Sequence, residues 1–436
     1  MITVEALGFL LLGLFGGRMT SGGFIGGYFN VNDEFMLKWA LSPVGFLVDL
    51  IAVGGFLGAL WLAHRGWGQQ AKYRYFLKAS GLIAGVLLFF LIFGRLFYGS
   101  TYGSHDGLVQ SEVAAQMLLH GTNPYAASFQ GTAFAVFHPP KFGQAVNPVL
   151  AHYPYPPAVI LLTAPAVLIS MATSWPVDGR IMTALAYVVL VILLIRASKD
   201  FRYRTWVTIG FVANPLLIIY PLVGFNDIFF LVFIVATTLL ARGRRWLLAG
   251  VMLGCALASK QTAFIALPLW VWWLWEEVRQ HRLSSPVAWR SIAWTVGVTT
   301  MIYLPFIAWN PSAFYDDVIR YVSGVIPHTY PIGGDSLYQF LVLSKAVPDA
   351  WAATRPFIGL VIAAAISLPI GAYWIRRRPT AGQWLTSVVM VTFVISLANR
   401  YVYENYVSGL VLLAGVCLAL GWIDGQQEIA SEPRKQ

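Results

Sequence analysis

The stretch Pro356–Arg378 reads PFIGLVIAAAISLPIGAYWIRRR, with no charge before Ile375 and three arginines closing it. A helix rises about 1.5 Å per residue, so about 20 such residues cross the hydrocarbon core of a bilayer. Comparable apolar runs recur near 42–64, 76–98, 205–221, 228–241, 246–258, 262–275, 291–308, 383–398 and 403–421. The run before residue 17 is short for a crossing, and 157–196 has room for one crossing plus a re-entrant helix, or more. An unpaired backbone amide in lipid is costly, so a chain built this way must be helical. The sequence therefore predicts an all-α fold, a polytopic transmembrane bundle of about 10–13 spans. Residues 1–436 form a single integral membrane domain on this reading.

Composition agrees. Hydrophobic residues make up 58% of the chain and charged ones 11%, against about 25% charged in soluble proteins. A water-soluble fold is excluded, and the ten-residue alternating strands of a barrel are missing from the pattern. The net charge of +10 is not carried on a basic face or arm, so nucleic acid is not an expected partner. Cys255 and Cys417 each lie inside an apolar run, which argues against a disulfide framework or a metal cluster. The opening MITVEA lacks a basic n-region and a cleavage site, so a cleaved signal is not expected.

Lys and Arg set the orientation, because short cytoplasmic loops carry the excess. Most of the 29 basic residues fall in clusters that alternate correctly along the chain: Arg65 to Lys78, Arg196 to Arg204, Arg242 to Arg245, Arg279 to Arg290, Arg376 to Arg378, and Arg434 with Lys435. The opposite, external face then receives loops 99–156 and 309–355, the turns at Asn226-Asp227 and Lys260, and the segment 399–405. This placement needs an odd number of crossings within 157–196, hence one re-entrant stretch. The external loops are poor in Lys and Arg and rich in Asp, Glu, Tyr, His and Pro, which places any chemistry there.

Within the first large external loop, Ser104–Tyr125 reads SHDGLVQSEVAAQMLLHGTNPY. Val109, Val113, Met117, Leu118 and Leu119 recur at helical spacing and predict an interfacial helix over 107–119, ended by Gly121 and Pro124. Asp106 falls at its N-cap, where a structural role in accepting from the first amides competes with a catalytic one.

Further motifs follow in order: Tyr153-Pro154-Tyr155-Pro156-Pro157 opening an apolar helix; Asn214-Pro215; Gly224-Phe225-Asn226-Asp227; the basic turn Arg242 to Arg245; Ala249-Gly250; and Lys260 before Pro268. Together with Asp106, Glu112 and Gly121-Thr122-Asn123-Pro124-Tyr125, this pattern resembles the GT-C integral membrane glycosyltransferases. Within them it is most similar to the bacterial polyprenyl-phosphate-mannose-dependent mannosyltransferases, well over roughly 95–275 and loosely elsewhere.

The resemblance implies a hexosyltransferase in the cytoplasmic membrane with its site on the extracytoplasmic face. It would move a hexose, mannose first, from a polyprenyl-phosphate-sugar donor to a lipid-linked or cell-envelope acceptor, with inversion. Asp106 takes the role of general base, with Glu112 the alternative and Asp33 or Glu34 behind it. The anionic leaving group calls for cations: Lys260, Arg320, His328 and Arg400 are the candidates, and Lys260 and Arg400 could equally be snorkelling anchors. Asn123, Tyr125, Tyr153, Tyr155, Asn226, Asp227 and Asp335 are the candidates for sugar or acceptor contacts, capping being the other reading of Asp227. Asp316, Asp317 and Asp335 could hold a divalent ion; hydrogen bonding to sugar hydroxyls is the favoured reading, and neither metal nor cofactor is expected. Trp272, Trp273 and Trp275 beside Glu276 read as a cytoplasmic aromatic belt.

Two other function classes fit a polytopic chain. A flippase or transporter of a polyprenyl-linked glycan would bury ionisable residues in mid-helix, whereas the acidic residues here sit at loops and helix ends. A glycan ligase or polymerase would be marked by a dominant late external loop, but the patterned loop here comes early. Nothing in the pattern fixes an oligomeric state.

Overall fold

The computed structural model describes residues 104–138, 147–174, 178–212, 217, 220–326, 329–334, 336–348 and 357–431. The expected spans at 42–64 and 76–98, the run before residue 17, and Asp33, Glu34, His328 and Asp335 lie outside them. The described chain is all-α, with thirteen α-helices: α1 Asp106–Leu119, α2 Pro157–Thr173, α3 Arg180–Arg196, α4 Phe201–Val207, α5 Asp227–Arg242, α6 Trp246–Leu257, α7 Ala266–Arg279, α8 Ser285–Trp309, α9 Pro311–Tyr315, α10 Leu337–Leu343, α11 Phe357–Arg377, α12 Ala381–Leu397 and α13 Glu404–Ser431. Two two-residue strands, β1 Gly333–Gly334 and β2 Tyr401–Val402, pair in parallel.

Two helices, Ser285–Trp309 and Ile358–Arg377, are long and apolar enough to cross a membrane. Their outer faces carry Trp289, Trp294, Met301 and Leu304, and Ile358, Ile362, Ile366 and Ile370, all exposed. An apolar face of that extent suits lipid and not water. Shorter apolar helices, among them α2, α6 and α12, pack around them.

The expected helix over 205–221 is broken: α4 ends at Val207, and 208–212 and 220–224 are π-helical. Pro221, within the second of these, lacks the amide that a continuous α-helix needs at that position, while Asn214 and Pro215 lie outside the described residues. The ambiguous stretch 157–196 resolves into α2 and α3. Ala158 N donates to Ala258 O at 3.1 Å, and just after α2 the Gly179 amide donates to Glu112 of α1 at 2.7 Å. The start of α2 therefore lies beside the end of α6 and the residues after α2 lie beside α1, and α3 carries the chain away.

The helices give the molecule two poles. The starts of α1, α3 and α5 and the ends of α6, α8 and α12 gather at one. Arg196, Arg242, Arg244, Arg245, Arg279, Arg282 and the end of α11 gather at the other, where Arg282 donates to Pro379 O at 3.3 Å and Arg244 to Arg282 O at 3.0 Å. Trp246, Trp270, Trp273 and Trp384 interlock there, with Trp273 stacked on Trp384 at 5.8 Å and against Trp246 at 5.1 Å. Trp273 is therefore core, while Trp272 and Trp275 are exposed as a belt requires.

α6 and α8 form the closest helix pair. A Cβ on Gly250 or Gly254 would collide with the backbone carbonyl of Ser291 or Thr295. Ser291 donates to Trp246 O at 2.7 Å, Thr299 to Gly254 O at 3.2 Å and Tyr303 to Leu257 O at 3.2 Å. Small residues let the backbones approach, and hydroxyls then bond across the gap.

Candidate active site

Asp106 is the first residue of α1, and the cap is His105, one position earlier than the pattern predicts. The His105 ring Nδ1 accepts from Gly107 N at 3.1 Å, so in the neutral ring the proton sits on Nε2. That nitrogen lies 3.3 Å from Asp106 Oδ1. From a loop more than thirty residues on, His138 brings its Nε2 to 3.4 Å from Oδ2. Gly107 N donates to Oδ1 at 2.6 Å. Burial acts to raise the Asp106 pKa, but the charge of His105 and the hydrogen bond and charge of His138 outweigh it. The carboxyl is held well below the usual carboxylate range, and its side chain is still 38% exposed.

Tyr155 packs its hydroxyl against the Cα of Gly107, where any Cβ would collide with it. A glycine after the aspartate is thus what admits this ring. Burial, then the charges of Asp106 and Asp227, push the Tyr155 phenol well above its ordinary value, so both carboxylates look onto one ring.

Asp227 opens α5 and is buried. Lys260 Nζ sits 2.6 Å from one of its oxygens, and Asn405 donates to the other at 2.6 Å. The ammonium lies 4.8 Å from the Tyr406 ring centre and 5.9 Å from that of Tyr155. Asn226 is buried beside it, and its Nδ2 has no hydrogen-bond partner among the described residues.

Two-strand pairing builds the far wall. β1 lies along β2, and Ser336 donates to Arg400 O at 2.8 Å. This brings Tyr330 to 4.4 Å from Tyr401 and 6.5 Å from Tyr403. Arg400 is fully buried, donates to Tyr330 O at 3.1 Å and packs along Gly324. Burial lowers its pKa, and Tyr401, Tyr338 and Tyr403 act against that.

A second carboxylate–imidazole pair stands behind this wall. Asp317 accepts from Tyr153 N at 2.8 Å and lies 2.7 Å from His152 Nδ1, while Tyr321 stacks on the imidazole at 4.2 Å. Burial pushes the Asp317 carboxyl up, partly offset by His152. The Tyr321 hydroxyl is buried without a hydrogen-bond partner among the described residues.

The other sequence candidates are placed as follows. Glu112 faces α3, accepting from Gly179 N. Tyr125 and Tyr153 are buried in an aromatic core under α1, with Tyr125 donating to Tyr155 O at 2.9 Å and Tyr153 to Ser111 at 3.2 Å. Asn123 caps the short turn at Pro124–Ala126. Arg320 is exposed and pairs with Asp316 at 2.7 Å. Sequence reasoning missed His105, His138, His152, Tyr321, Asn405 and Tyr406. The one local signal among them was His105 directly beside Asp106.

Residues 112–277 match the family model of the alpha-(1->6)-mannopyranosyltransferase N-terminal domain, MptA_B family. Over that segment the chain is similar to a mannosyltransferase family of the GT-C type. It is thus a glycosyltransferase, with a sugar donor and an acceptor as its substrates, in a membrane-associated family. The matched segment of the transferase carries Tyr155, Asp227 and Lys260; Asp106 and the wall of tyrosines lie outside it. No curated protein and no solved structure matches the transferase.

Proposed function

We propose that the transferase moves mannose from a polyprenyl-phosphate donor to a lipid-linked or cell-envelope acceptor. The reaction takes place at the Asp106 pole, on the extracytoplasmic side of the cytoplasmic membrane. The observation that carries this is the convergence on one tyrosine, Tyr155, of an ionised Asp106 and the buried Asp227–Lys260 pair. The membrane placement rests on the lipid-suited faces of α8 and α11 and on the arginines at the opposite pole, which the positive-inside rule assigns to the cytoplasm. Loops 99–156 and 309–355 supply the external parts of the single domain.

In this reading the acceptor hydroxyl oxygen attacks the anomeric carbon as the bond from that carbon to the phosphate oxygen breaks. The electron pair leaves with polyprenyl phosphate, the hydroxyl proton passes to Asp106, and one displacement inverts the centre. His105 and His138 keep Asp106 ionised and aimed. A base held so far down accepts the proton only as bonding to carbon makes the hydroxyl acidic, so transfer is late and concerted. Lys260 and Arg400 lend positive potential to the departing phosphate, and the unpartnered amide of Asn226 takes a sugar hydroxyl. Glu112 is the weaker candidate for the base because its carboxylate already holds the start of α3.

The test is label transfer from polyprenyl-phosphate-mannose to membrane lipid acceptors by wild type and Asp106→Asn at matched expression. The expected loss is about 10²–10⁴-fold. Equal transfer by both would remove Asp106 from the role, and no transfer by either would remove the donor.

A further inference from the structure

At the arginine pole a cavity of about 870 Å³ opens between α3, α5 and the start of α6. Its walls are apolar, including Val189, Leu193, Val232, Ala236 and Met252, and its rim is Arg196, Arg242 and Arg245. No carboxylate lines it among the described residues. Arg196 and Arg245 are exposed and form no side-chain hydrogen bond or ion pair among the described residues. α5 spans 16 residues from Asp227 to Arg242, about 24 Å, so the arginine rim stands at the opposite end of α5 from Asp227.

We propose that the cavity binds one anionic phospholipid, its phosphate on the arginine rim and its acyl chains along the apolar walls. Charge complementarity selects the occupant. Guanidinium groups grip phosphate in bidentate fashion, and a basic pocket between helices at the cytoplasmic surface is where anionic headgroups concentrate. The volume falls within the ordinary range for ligand sites, about 300–1,000 Å³. The outer face of α3 beside the cavity exposes Leu185, Val188 and Ile192, so the apolar walls continue into a surface that lipid chains cover. A soluble anion would leave those walls unfilled. The inference rests on the membrane reading of the fold and not on the assignment of Asp106.

Native mass spectrometry of the full chain, supplied with phosphatidylglycerol or phosphatidylcholine of identical acyl chains, tests it. Wild type is expected to retain one phosphatidylglycerol in preference to phosphatidylcholine by about tenfold or more. The variant Arg196→Gln/Arg245→Gln should lose that preference, while Arg290→Gln, an exposed arginine outside the cavity, should keep it. Ala236→Trp, which fills the cavity and leaves every arginine, should lose the retained lipid as well. Equal retention of both lipids by wild type would overturn the proposal, and so would an unchanged preference in the double variant. Retention by Ala236→Trp would reduce the effect to surface charge and sink the cavity site. If residues 1–103 occupy the cavity, wild type retains neither lipid there and the proposal fails. Transfer activity is not part of the readout, so a failure of the transferase reading is seen separately.

Discussion

The two poles of the molecule hold their charges in different ways. At the arginine pole the buried carboxylates are satisfied by neighbours in sequence: Glu276 by Arg279 at 2.6 Å and Glu277 by Arg282 at 2.9 Å. At the Asp106 pole two buried carboxylates are satisfied across long stretches of chain, Asp227 by Lys260 and Asn405 and Asp317 by His152 and Tyr153, while a third, Asp178, is held locally by Arg180. Local pairs form with the helix that carries them and stabilise little beyond it. Long-range pairs can form only once the whole pole is assembled, so they report on tertiary structure and hold the site's geometry.

The largest test of this contrast is Lys260→Met. It leaves Asp227 buried against one amide donor and should cost about 3–5 kcal/mol in denaturant unfolding in detergent. Adding Asp227→Leu should return most of that loss. An additive double variant would mean that the pair is not coupled.

His138→Gln removes one of the two histidines that lower the Asp106 pKa, so the folded pKa of that carboxyl climbs toward the usual range. Asp106 must be ionised to act, and activity is lost as pH falls through its pKa. The acid limb of the kcat/KM profile should therefore move up by about one pH unit; an unmoved limb would detach His138 from the base.

Asp317 runs the other way. Its folded pKa is raised, so its contribution to stability is full below the unfolded value of about 3.9 and is lost as pH rises through the folded value. Asp317→Asn keeps the acceptor for Tyr153 N and should flatten that pH dependence of the unfolding midpoint, with a change of about 1 kcal/mol or less at neutral pH. The smallest effect belongs to the exposed pair Asp316–Arg320: Arg320→Ala should shift stability by about 0.5 kcal/mol or less. A larger loss would show that this turn is coupled to the site after all.

Much of the fold was legible because its signals are local. α5, α6, α11 and α12 fall within a few residues of their apolar runs, and α1 begins one residue from where its pattern places it. The break across 205–221 was marked by Pro215 and Pro221, but hydropathy alone averages over them. At the site, Asp106, Tyr155, Asp227 and Lys260 could be singled out because each sits in a short motif. His138 could not, since what makes it matter is the return of a loop onto Asp106. Asn405 and Tyr406 lie at the start of α13, more than 140 residues beyond Lys260, and nothing in their own neighbourhood connects the two. Tyr125 and Tyr153 show the converse: a motif tyrosine in an external loop reads as a sugar platform, yet both rings are packed inside the loop's own core.

The contact between α6 and α8 sets where this molecule can move. With Gly250 and Gly254 seated on the carbonyls of Ser291 and Thr295, neither helix can slide or rotate past the other without a backbone clash. That pair is a fixed part of the helical bundle, and α6 ends in the turn that presents Lys260. Lys260, and with it the buried Asp227 carboxylate that it pairs with, is therefore anchored to a fixed part of the bundle.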